Sequence, residues 1–266
     1  MRTFIGCTVS LLAIAVASPA LAQDTAPPEA ITISGGATLV TDYRFRGLSQ
    51  TNKNFAVQGS LTATHESGLY VSVWGSSISE YVANGSNQEI DLIAGYKRTF
   101  DGTTFDGGLL YYFYPASQKF GPAFADDKYN SDFAEPYISV AHTFGPVTGK
   151  VTANYAFKQK ALGLTAKADG TQKKDDNLYG AVDLSAAIGQ GVGITGHVGH
   201  NFTRSVLSFD RTYTDWGAGV TYTYKQITFG VSYVDTNLHN GYASGLLGYS
   251  KDIAKTGVVG SVGVAF

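Results

Sequence analysis

The sequence predicts an all-β protein: a transmembrane antiparallel β-barrel of twelve strands behind a cleaved signal peptide. Three observations carry this expectation. Apolar and polar residues alternate with a period of two over membrane-crossing lengths, the connections alternate between short and long, and the final alternating segment ends on an aromatic residue, Phe266. Composition agrees, with 32 Gly, 17 Tyr and 15 Phe among 266 residues against one Met and two Trp. Such a set suits strands and tight turns better than helices.

Residues 1–22 read as a Sec-type leader, with Arg2 as its basic end, Leu11 to Ala17 as its apolar run and Ala20-Leu21-Ala22 as its cleavage site. The run is too short for a membrane helix of about 20 residues. Cleavage would remove Cys7, the only cysteine, and with it any disulfide or thiolate metal site. It would also remove one of 19 basic residues, leaving 18 against 21 acids. A chain so close to neutral lacks the basic surface of a nucleic-acid binder. A proline-containing lead-in occupies 23–30 and the barrel 31–266.

The first barrel segment places Asp42, Arg44 and Arg46 on one face and Leu39, Thr41, Tyr43 and Phe45 on the other. Around Asp101-Gly102, a type I′ turn pairs Phe100 with Thr103. That register puts Ile90, Leu92, Ala94 and Tyr96 on one face with Phe105, Gly107, Leu109, Tyr111 and Phe113. It also sets Lys97 across from Asp106 inside, an opposite-charge pair that contributes about 0.2–1 kcal/mol. Val147, Val151, Tyr155 and Phe157 face lipid while Thr148, Lys150, Thr152 and Asn154 face inward. Trp216, Val220, Tyr222, Phe229, Val231 and Tyr233 continue the outward belt, and Val258, Val262, Val264 and Phe266 complete it.

Short connections fall at Glu66-Ser67-Gly68, Asp101-Gly102, Gly145-Pro146, Ile188 to Gly191 and Lys225-Gln226. Long ones run over Gly47 to Asn54, Ser79 to Gln88, Pro115 to Asp132, Gln159 to Asp175, Thr203 to Thr212 and Asn237 to Lys255. Short turns on the periplasmic side and long loops outside are the habit of outer-membrane barrels. An even strand count puts both termini at the periplasmic rim. A closed sheet also satisfies every backbone amide without help from lipid.

Several motifs resemble the TorF family of porins. They are Asp42-Tyr43-Arg44-Phe45-Arg46-Gly47 with Ser49-Gln50-Thr51, then Gly68-Leu69-Tyr70 and Val73-Trp74-Gly75-Ser76. Glu89-Ile90-Asp91-Leu92, Tyr111-Tyr112, Asp132-Phe133-Ala134-Glu135-Pro136-Tyr137 and Tyr233-Val234-Asp235-Thr236-Asn237 follow in order. The resemblance covers nearly all of the mature chain. It implies a porin-like barrel in a Gram-negative outer membrane, with no catalytic or cofactor residue to carry over.

The residues expected to line a pore are Asp42, Arg44, Arg46, Glu89, Asp91, Tyr112, Glu135, Lys150 and Asp183. Asp42, Arg44 and Arg46 have two readings: a charged ladder that polarises the outer mouth, or charges that pair with acids on neighbouring strands and brace the wall. All inward charges together are seven acids (Asp42, Glu89, Asp91, Asp106, Glu135, Asp183, Asp215) and five bases (Arg44, Arg46, Lys97, Lys150, Lys158), a balance that predicts weak ion selectivity. His142 and His200, with Ser205 nearby, could in principle serve a lipid hydrolase, but amphipathic rings at the membrane interface explain both histidines without chemistry. No spacing suggests a metal site.

The expected function is therefore passive diffusion of small hydrophilic solutes, with no cofactor. The alternative is a blocked barrel with an adhesive or structural role, its lumen filled by Tyr70, Trp74, Tyr112 and Tyr114. Expected partners are outer-membrane lipid and lipopolysaccharide, the latter near the loop lysines 158, 160, 167, 173 and 174. The barrel assembly machinery is expected to read Phe266.

Overall fold

A computed structural model describes residues 30–117, 130–163, 173–238 and 252–266. The predicted leader, most of the lead-in, and the middles of the loops predicted at Pro115–Asp132, Gln159–Asp175 and Asn237–Lys255 lie outside the described residues. In chain order the strands are β1 (Ile31–Val40), β2 (Arg44–Phe45), β3 (Leu48–Ser49), β4 (Ala56–His65), β5 (Leu69–Ser77), β6 (Gln88–Phe100) and β7 (Thr103–Phe113). They continue as β8 (Phe133–Phe144), β9 (Val147–Gln159), β10 (Asp175–Gly189), β11 (Val192–Asn201), β12 (Tyr213–Tyr224), β13 (Ile227–Thr236) and β14 (Gly257–Ala265).

Twelve of these form one closed antiparallel barrel, in which each strand pairs with its neighbour along the wall and β1 meets β14. The remaining two, β2 and β3, form a separate hairpin. The turn at Asp101-Gly102 has both φ angles positive, at 45° and 76°, as type I′ requires. Its register brings Ile90 to Phe113 and Lys97 to Asp106. Gly145, with φ 60°, opens the two-residue turn before Pro146 that joins Phe144 to Val147.

Period-two patterning sorts the wall into two chemistries. Outward residues are large, apolar and exposed, among them Val57, Leu92, Phe105, Val151, Val220 and Val264. On a water-facing protein so much exposed apolar surface would aggregate, whereas lipid accepts it. The inner face near the short turns carries hydroxyl pairs across neighbouring strands: Thr62 with Ser72 at 2.6 Å, Thr99 with Thr104 at 2.9 Å, Thr143 with Thr148 at 3.0 Å and Thr223 with Thr228 at 2.9 Å. Larger side chains project inward above these pairs: Tyr70, 4% exposed, donates to Asp106 at 2.8 Å, and Lys97 faces Asp106 across the β6–β7 register.

The last residue takes part in the seam. Phe266 N–H donates to the Gly35 carbonyl at 3.0 Å, and Gly35 N–H donates to the Phe266 carbonyl at 3.2 Å. The ring lies over Gly35, where a Cβ would come within 2.9 Å of Phe266 Cζ and 2.7 Å of the Ser60 carbonyl. Glycine is what lets the terminal ring close down on β1.

Candidate functional site

The structure corrects the reading of the first strand at one place. β1 ends at Val40, and residues 41–55 turn away from the wall instead of extending the strand through Arg46. Tyr43 and Phe45, expected to face lipid, are buried at 1% and 7% exposure. The physical reason is length: a strand of about 9–11 residues already crosses the hydrocarbon, and β1 is 10 residues long. The segment then folds back on itself, with Arg46 at φ 48° and Gly47 at φ 79° between the paired residues Phe45 and Leu48. This is a two-residue turn of the I′ kind inside the barrel.

The hairpin's contacts come from all around the wall at the long-loop end. Arg46 Nη2 donates to both carboxylate oxygens of Glu135 on β8, at 2.7 and 2.8 Å, and Nη1 donates to Asn177 Oδ1 on β10 at 2.6 Å. The guanidinium lies 4.7 Å from the Phe45 ring and 4.3 Å from that of Tyr179, an arrangement that favours the cation in a dry site. Glu135 also accepts from Tyr112 Oη at 3.2 Å and Asn154 Nδ2 at 3.1 Å. From β12, Tyr213 Oη donates to the Arg46 carbonyl at 3.0 Å.

On the opposite flank, Arg44 Nε donates to Asp42 at 2.6 Å, and Nη1 donates to the carbonyls of Gly47, Ile253 and Lys255. Asp42 in turn accepts from Ser49 Oγ at 2.6 Å and Thr51 Oγ1 at 3.2 Å. The Tyr81 hydroxyl donates to the Ser49 carbonyl, Tyr43 Oη reaches Glu89 at 3.3 Å, and Phe45 packs edge-on to Tyr112 at 6.0 Å. A segment tied to β6, β8, β10, β12 and the approach to β14 must cross the lumen. Arg46 and Glu135 are 1% and 0% exposed where it does so.

Of the nine residues expected at a pore, the hairpin and its neighbours gather Asp42, Arg44, Arg46, Glu89, Asp91, Tyr112 and Glu135 in the half nearer the long loops. Lys150 and Asp183 sit lower, 3.4 Å apart on β9 and β10. They belong to a second chain of contacts, since Asp183 bonds His197 Nδ1 at 2.7 Å, His197 Nε2 meets Asp215 at 3.0 Å, and Tyr179 Oη donates to Asp215 at 3.0 Å. Lys158 is exposed at the rim, not in the lumen.

Several members of the site went unread in the sequence, chiefly Tyr43, Phe45, Asn177 and Tyr213. The available signal was the overlong segment ending at Gly47. His142 and His200 face outward and each bonds a cross-strand threonine, Thr103 at 2.7 Å and Thr214 at 2.8 Å. Ser205 is buried and accepts from Asn177 at 2.9 Å. The nucleophile–base geometry considered for that pair is absent among the described residues.

The barrel is similar to solved porins. The NanC porin aligns with 10% identity over 88% of this chain and 99% of its own, at a TM-score of 0.55. The KdgM porin aligns with 8% identity over 88% and 98%, at 0.54. An outer-membrane channel from Pseudomonas putida F1 aligns with 8% identity over 91% and 99%, at 0.50. At these identities the likeness is one of fold. No curated protein matches the sequence. A family model covers residues 23–266, and the chain accordingly belongs to the family described as "Bacterial protein of unknown function (Gcw_chp)".

Proposed function

We propose that this porin-like barrel is an outer-membrane channel for small hydrophilic solutes, and that the hairpin at 41–55 sets when and how widely it conducts. The observation that carries the reading is the division of the lumen. Hydroxyl pairs near the short turns, with Tyr70 and Asp106 above them, lead to a half at the long-loop end occupied by a segment held through hydrogen bonds, ion pairs and the packing of Tyr43 and Phe45. The polar contacts can exchange for water when the segment moves, while the buried Tyr43, Phe45 and Leu48 oppose that movement and make it infrequent.

Export by the leader at 1–22, and placement with the short turns in the periplasm, follow from the same reading. So does the kinship with TorF-type porins suggested by the motif around Arg44. The exposed Lys158, Lys173 and Lys174 lie at the long-loop rim, where lipopolysaccharide phosphates would be found; Lys167 lies outside the described residues. Phe266, in the seam, is the residue we assign to the assembly machinery.

A second reading, a permanently blocked barrel with a structural role, is favoured by the full burial of the Arg46–Glu135 pair. The two are separated by recording purified full-length protein in planar bilayers. The channel reading expects small, infrequent, discrete conductance steps. Their reproducible absence, from protein whose folding is shown by heat-modifiable migration, would favour the blocked barrel.

A further inference from the structure

The inward charges look balanced when counted, but their pairing is uneven. Asp42 bonds Arg44, Glu135 bonds Arg46, Asp183 bonds Lys150 and His197, and Asp215 bonds His197 and Tyr179. Asp106 faces Lys97 across the β6–β7 register and accepts from Tyr70 at 2.8 Å. Two acids are left over, and they are neighbours on one face of β6. Among the described residues, Glu89, 2% exposed, accepts from the Tyr43 hydroxyl and no other side chain, and Asp91, 0% exposed, has no partner at either carboxylate oxygen.

The charges that bear on Asp91 are those of Glu89 and Glu135, both negative. Arg46, the cation that neutralises Glu135, is committed to Glu135 and Asn177. A buried carboxylate with no donor and two like charges around it is among the costliest arrangements a protein can hold. Either a proton or a bound cation relieves it, and the two are told apart by the test below.

The walls indicate what kind of cation fits. Register places Trp74 of β5 and Tyr112 of β7 on either side of Asp91, and Tyr43 meets Trp74 edge-on at 5.5 Å. Aromatic faces beside carboxylates suit a weakly hydrated single charge. No group of three His, Cys, Asp or Glu among the described residues could hold a metal ion, so a multidentate divalent site is not formed. We infer that Glu89 and Asp91, walled by Tyr43, Trp74 and Tyr112, form a binding site for a monovalent cation, either an alkali ion or the ammonium group of a small solute. The site stands whether or not solute crosses the barrel.

The test uses full-length protein in detergent, melted in potassium chloride, methylammonium chloride or the bulky N-methylglucamine chloride at equal ionic strength. The melting temperature should climb with the logarithm of potassium or methylammonium concentration once the site begins to fill, and stay flat in N-methylglucamine. Whichever small ion acts at the lower concentration identifies the source. Asp91→Asn should abolish the dependence and raise the melting temperature in N-methylglucamine, because it removes the repulsion. Glu66→Gln, at the short-turn rim, should leave the dependence intact.

Identical melting in all three salts, or an Asp91→Asn protein that still responds, overturns the site. If Asp91→Asn does not fold, equilibrium dialysis of the unaltered protein against rubidium decides: one ion per chain supports the site and none overturns it. A protonated-carboxyl infrared band with no cation dependence assigns a proton to Asp91 and overturns it equally. None of these readouts depends on conductance, so the site and the channel can fail separately.

Discussion

Arg46→Ala is expected to unlatch the hairpin and turn small, rare conductance steps into larger and longer ones. The substitution removes the cation from a carboxylate that is fully buried, leaving Glu135 with only Tyr112 and Asn154 as donors. Breaking a buried pair from one side costs about 3–5 kcal/mol. Part of that cost can be relieved by letting water reach Glu135, which requires the hairpin to leave. The single variant should therefore melt lower and conduct more. In the double variant Arg46→Met, Glu135→Leu no charge is left unpaired, so melting should recover toward the original value. Bilayer recording and thermal melting of the two variants check both parts. Equal conductance in Arg46→Ala and the parent would mean that Arg46 does not hold the lumen closed.

Gly47→Val should have the larger effect, because it attacks the hairpin at its tip. The left-handed backbone at φ 79° costs an ordinary residue about 1–2 kcal/mol and a β-branched one more. A Cβ there would also run into Thr236 Cγ2 and come within 2.7 Å of Asp215 Cβ. With the wall on one side and strain on the other, the turn cannot seat. The displaced segment would carry Arg44, Arg46 and Lys53 into solvent, so trypsin added to folded protein should cut it. In the parent, Arg44 and Arg46 are buried and should resist cleavage, so new cuts after these two residues are the diagnostic ones. Retained resistance to trypsin in Gly47→Val would contradict the packing described.

The barrel was legible because its physics is local. Alternation at Val258 to Phe266 and the turn at Asp101-Gly102 each constrain which face a residue shows, and the pairing of Lys97 with Asp106 followed from a single turn. The hairpin was hidden by the same rule. Tyr43, Arg44, Phe45 and Arg46 alternate as a wall strand does, so period alone cannot say whether the aromatic face meets lipid or the inside of the barrel. Only the surplus length beyond Val40 and the glycine at 47 mark the departure. Asn177, Tyr179 and Tyr213 became part of the site through contacts across the lumen, which depend on where the hairpin lands and leave no trace in local pattern. Charge counting was silent on placement for a related reason: seven acids and five bases differ by two, and only the pairing in three dimensions leaves Glu89 and Asp91 without a basic partner among the described residues.

The central claim is that residues 41–55 alone close the outer half of the lumen. Val40 and Ala56 are paired across β1 and β4, so Thr41–Phe55 can be replaced by Asn-Gly, a two-residue I′ turn that suits this register. The single-channel conductance of that protein in planar bilayers is the most direct measurement. The account predicts a folded barrel with steps several-fold larger than the parent's and open most of the time. A folded, heat-modifiable barrel whose steps match the parent's in size and frequency would contradict it.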